Sequence, residues 1–124
     1  MYEHMRPASA FWSFRENISP SALSVTTDGK HTVVGTQNGL IFLNSRGRPL
    51  WFNKKIRKVA DVSVSTQSGK IAVGSSQKVL YLVNLKGEPI WHRELDSSVI
   101  AVSISSRGNL IVVGTDQGKL ILFD

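Results

Sequence analysis

Apolar and polar residues alternate with period two, in short runs, along nearly the whole chain. Leu23-Ser24-Val25-Thr26, Val62-Ser63-Val64-Ser65 and Val102-Ser103-Ile104-Ser105 set apolar against small polar side chains, as half-buried strands do. Each run leads into a turn with glycine: Asp28-Gly29, Ser68-Gly69 and Arg107-Gly108. Such residues supply the positive φ or the side-chain-to-backbone bond that a tight hairpin requires. A second strand is predicted over Thr32 to Gly35, Ile71 to Gly74 and Ile111 to Gly114, followed by turns at Gln37-Asn38-Gly39, Gln77-Lys78 and Asp116-Gln117-Gly118. A third covers Leu40 to Leu43, Val79 to Val83 and Lys119 to Phe123. A fourth, Pro49 to Asn53 and Pro89 to Glu94, carries a tryptophan. No stretch of about ten residues has helical periodicity, so the chain reads as all-β.

The strands recur in units. Trp12, Trp51 and Trp91 are spaced by 39 and 40 residues, as are Gly35, Gly74 and Gly114; Gly29, Gly69 and Gly108 are spaced by 40 and 39. Asn44 and Asn84, Gly47 and Gly87, and Pro49 and Pro89 each repeat at 40. Four short strands per repeat of about 40 residues, with a recurring tryptophan, is the pattern of β-propeller blades. The expected organisation is a polar arm at 1–10, an outer strand at 11–15, one blade at 22–54, a second at 59–95, and three inner strands at 99–124. On this reading the strand at 11–15 is the outer strand of a blade split between the two ends. Two apolar blade faces would stay bare in an open arc of three. The expected fold is therefore a propeller of three four-stranded blades per chain, completed to a six-bladed ring by a second copy, a homodimer with strand exchange.

The segments Asn44-x-x-Gly47-x-x-x-Trp51 and Asn84-x-x-Gly87-x-x-x-Trp91 resemble the blade-docking motif of quinoprotein-like propellers. The resemblance covers roughly residues 11 to 124. It implies that Trp12, Trp51 and Trp91, with Gly47 and Gly87, lock adjacent blades and that Trp51 and Trp91 are largely buried. Two departures stand out. The small alanine usual two positions before the acidic or amide residue is Phe42 and Leu82 here, and the Gly-His and Trp-Asp pairs of Trp-Asp repeat propellers are missing, so that second kinship is loose. The resemblance does not carry the quinone cofactor with it, since fold analogy alone carries no activity.

Composition narrows function mostly by exclusion. With 41% hydrophobic and 19% charged residues the chain has an ordinary globular balance. It has no cysteine and hence no disulfide or cysteine-based zinc site. No run of about 18 apolar residues spans a membrane, and Met1 to Pro7 does not read as a secretory signal; the expected location is cytoplasmic. His4, His31 and His92 read as surface histidines without convergent ligands, and nucleophile-elbow and phosphate-loop motifs are absent. No catalytic residue, metal site or cofactor is expected.

Charge distribution supplies the one sharp candidate. Lys30, Arg46, Arg48, Lys54, Lys55, Arg57 and Lys58 lie between Asp28 and Asp61 with no acid among them, so that third of the chain carries +7 of a net +6. Lys54, Lys55, Arg57 and Lys58 would form a basic loop able to meet phosphates or an acidic peptide. No aromatic platform is interleaved with them, as single-strand binding would favour, and a solvated loop is the plain alternative. Three functions stay open: a scaffold holding a protein partner, a nucleic-acid or polyanion binder, and a piece of a longer propeller without activity of its own.

Overall fold

The computed structural model describes Trp12, Ser13 and residues 18–124. Its strands form three antiparallel sheets without a helix among the described residues. The first sheet holds β1 (Pro20–Val25), β2 (Thr32–Thr36), β3 (Leu40–Leu43) and β4 (Pro49–Asn53); the second holds β5 (Val59–Ser65), β6 (Lys70–Ser75), β7 (Val79–Asn84) and β8 (Pro89–Glu94). The third has three strands, β9 (Val99–Ile104), β10 (Ile111–Thr115) and β11 (Leu120–Phe123). In each sheet neighbours in sequence are neighbours in space, the simplest result of joining short strands by tight turns. None of the sheets closes on itself. The expected outer strand at 11–15 falls mostly outside the described residues; Trp12 and Ser13 stand outside the strands.

Period two carries through to packing because every sheet of the stack has two faces to cover. From the first sheet Val33, Leu40 and Phe42 meet Val59, Val62, Ile71, Val73 and Val83 of the second, with Ile56 plugging the space between them. From the second, Ala72, Leu80 and Leu82 meet Val99, Val102, Ile104, Ile111 and Val113 of the third. Consecutive residues of one strand thus serve different interfaces: Ile71 and Val73 face one neighbour while Ala72 faces the other. This explains why both faces of the second and third strands are apolar. Gly35 and Gly74 permit the close approach, since a Cβ at either would overlap Val59 or Val99 of the next sheet.

The edge strands β1, β5 and β9 lie side by side and are stitched by their small polar residues. Ser24 Oγ accepts from the Val64 N–H at 3.3 Å, and Ser63 Oγ accepts from the Ile104 N–H at 3.1 Å. Asp61 accepts from its neighbour Val62 N–H (3.0 Å) and from Val102 N–H (2.8 Å). These serines are acceptors for the next sheet rather than merely small. His31 departs from its expected surface role: it is half-buried and stacks on Phe42 at 4.8 Å.

A candidate binding groove between the first two sheets

The basic loop follows from three local anchors. Asn53 ends β4 by accepting the Lys55 N–H at 2.9 Å and donating Nδ2–H to the Gly87 carbonyl of the second sheet at 3.0 Å. Ile56, the one apolar residue in the run, is buried in the core between the sheets. The loop backbone is then pinned on both sides. Lys58 N–H donates to the Gln37 carbonyl and Ser76 N–H to the Lys58 carbonyl, both at 2.9 Å, and Ser75 Oγ–H donates to the Arg57 carbonyl at 2.8 Å. Lys58 adopts φ 50°, the left-handed region, to make this corner. With the backbone held, Lys54, Lys55, Arg57 and Lys58 are all exposed.

The four cations do not share one surface. Arg57 turns toward the β2–β3 turn, where its guanidinium lies 3.5 Å from Asn38 Oδ1. Lys54 and Lys55 instead border a groove of about 660 Å³ between the outer strands of the two sheets. The second sheet contributes Lys86 from its β7–β8 turn, with Tyr81 and His92 from paired strands. The Tyr81 and His92 rings lean together at 6.1 Å. One carboxylate, Glu88, reaches the groove, and it accepts from Asn84 Nδ2–H at 3.2 Å. The aromatic component that sequence reading found missing is therefore present, supplied from residues far along the chain. Lys54 also sits over Phe52, its Nζ 5.6 Å from the ring centre.

Trp51 forms the back of the groove. Its indole stacks on Phe42 at 5.2 Å, covers Gly87, and donates Nε1–H to the Leu85 carbonyl at 2.8 Å. Gly87 has φ 82°, and a Cβ there would press into the indole, so glycine satisfies both the turn and the seat. Trp12 occupies the matching seat on the first sheet, over Gly47, and packs with Ile18 on Val34, Ile41 and Leu43. Trp91 corrects an expectation: it is 36% exposed rather than buried, and leans on Phe123 at 6.5 Å.

No family model matches the chain, and no curated protein matches it. Among the described residues no group of three or more His, Cys, Asp or Glu stands close enough to hold a metal ion. Likewise, no helix among them is long and apolar enough to cross a membrane. Lys86, Tyr81 and His92 were missed because each looks ordinary in its own strand or turn. Only the 40-residue repeat, which lays β8 and its turn alongside β4, could have pointed to them.

Proposed function

We propose that the three sheets are blades of a β-propeller of the quinoprotein-like kind, loosely related to Trp-Asp repeat propellers, that two copies close one six-bladed ring, and that the ring is a non-catalytic scaffold whose loops bind a partner. The observation that carries this reading is the seat of Trp12. It lies over Gly47 as Trp51 lies over Gly87, on a face of the first sheet where a preceding sheet would bring its fourth strand. The third sheet is short of a fourth strand among the described residues. The two ends are thus complementary.

The exposed apolar residues support the same arrangement. By the repeat, Val112, Leu120 and Leu122 correspond to Val33, Leu40 and Phe42, and to Ala72, Leu80 and Leu82, which are buried at the two internal interfaces. Yet Leu120 is 78% and Leu122 62% exposed. At the other end Leu23 is 65% and Val25 60% exposed, in the places of Val62 and Val64. Apolar faces of this kind mark an interaction surface, and by the repeat these two carry the residues that correspond to those meeting at the internal interfaces. Such a head-to-tail contact leaves no bare end only when it closes into a ring. Light scattering on the intact chain should give about twice 13.7 kDa. A single-chain mass at micromolar concentration would overturn the paired ring.

A further inference from the structure

The groove between the first two sheets has an internal control elsewhere in the repeat. The connection following β8 is equivalent to that following β4, yet Glu94, Leu95, Asp96, Ser97 and Ser98 stand where Lys54, Lys55, Ile56, Arg57 and Lys58 stand in the first. Both connections lead from the fourth strand of one sheet to the first strand of the next, and each is held by a backbone bond to a turn carbonyl of the sheet it leaves, Lys58 N–H to Gln37 and Leu95 N–H to Lys78. The fold therefore does not require cations here. The neighbouring groove between the second and third sheets is about 280 Å³ and carries mixed charge: Arg93 and Lys119 against Glu94 and Asp96. Only the first groove gathers Lys54, Lys55 and Lys86 around an open space with one carboxylate.

We propose that this groove binds a short single-stranded nucleic-acid segment, its phosphates held by Lys54, Lys55 and Lys86 and a base laid against the His92 and Tyr81 rings. Three lysines from two sheets match the spread charge of a phosphate backbone better than one compact anion. A stacking surface beside them favours a strand whose bases are free, because a duplex hides the faces that aromatic rings would meet. Trp51 contributes only its edge, since Phe42 and Gly87 cover its two faces; the ring open to a base is His92, which is exposed. Arg57 and Lys58, beside the β2–β3 turn, extend the positive field and leave the groove itself unlined. The site lies within one chain, so it holds whether or not two copies pair.

The test is fluorescence anisotropy of a labelled oligodeoxythymidine with the full chain at two salt concentrations, with a heparin fragment and polyglutamate as competitors. Replacing Lys54, Lys55 and Lys86 by Ser should weaken oligonucleotide binding at least tenfold and make the log K against log salt slope shallower by about 2, near 0.7 for each lost phosphate contact. His92→Ala should weaken the oligonucleotide about fivefold or more, the low end of one base–aromatic stack, and leave heparin competition unchanged. All these residues but Tyr81 are exposed, so the variants keep the fold, which circular dichroism confirms. Binding that survives the lysine substitutions overturns the site. Heparin or polyglutamate binding as tight as the oligonucleotide, with His92→Ala inert, assigns the groove to plain polyanions and overturns the nucleic-acid reading. Loss of dimer mass without loss of oligonucleotide binding would count against the ring alone.

Discussion

Asp28 shows how much one short polar side chain does in this repeat. Its carboxylate accepts the Thr26 hydroxyl at 2.6 Å and the Lys30 N–H at 2.9 Å, fixing the β1–β2 turn. These bonds, the Thr26 hydroxyl first, with help from the Lys30 and His31 charges, hold its pKa below the ordinary 3.8. A carboxyl whose folded pKa is depressed stabilises the fold above its unfolded pKa and loses that contribution as pH falls through the folded value. The contribution is therefore intact at neutral pH and vanishes only in acid, below 3.8. Carbon-detected NMR should place the Asp28 midpoint below that value in the parent chain and higher in Thr26→Val. An identical midpoint in both would show that the hydroxyl does not set it. In the equivalent turn of the third sheet Arg107 stands where Asp28 does, and the Ser105 hydroxyl donates to Asn109 Oδ1 at 3.0 Å instead, so the same hairpin tolerates a different side chain.

At the scale of strands, alternation made most of the architecture legible and bulges hid the rest. β3, β4 and β8 have the bounds expected from the pattern. The first strand of each sheet begins earlier than the alternating run, at Pro20, Val59 and Val99, because the pairing register shifts near its start. One extra residue there breaks period two, which a pattern reading takes for the end of the strand. A second shift, in the outer strand, falls beside Leu50 and Ile90 and accounts for their exposure. The repeat also announced the tryptophan seats, but not how well each is filled. Trp51 joins β4 to the β7–β8 turn by stacking, by covering Gly87 and by one hydrogen bond. Trp51→Ala should cost about 3–5 kcal/mol in urea unfolding, the range for deleting a core aromatic. Trp91→Ala should cost less than about 1 kcal/mol within the chain, as for a surface substitution. Equal losses would mean that the docking turn contributes nothing.

For the whole molecule, the decisive feature is a seat used twice among the described residues and left open a third time, where the proposed second copy would supply the occupant. Gly35 receives Val59 and Gly74 receives Val99, each against the bare backbone of the preceding sheet. Gly114 is their equivalent on the third sheet, and a Cβ there would meet only Leu120 and Ala101 of its own sheet, at 3.6 and 3.7 Å. By the repeat, the residue that corresponds to Val59 and Val99 at the start of the first sheet is Pro20. In the proposed ring, Pro20 of a second copy would sit on Gly114. The two glycines should therefore respond differently to the same added methyl. Gly74→Ala forces Val99 aside within one chain and should destabilise it by about 1–3 kcal/mol, the usual cost of overpacking a core. Gly114→Ala makes ordinary contacts and should leave the unfolding of the single chain nearly unchanged. Its effect should appear in sedimentation equilibrium, where the added methyl meets the incoming Pro20 and shifts the population from paired to single chains. A Gly114→Ala chain that pairs as tightly as its parent would place the joint between copies elsewhere, and the Trp12 seat would then need another explanation.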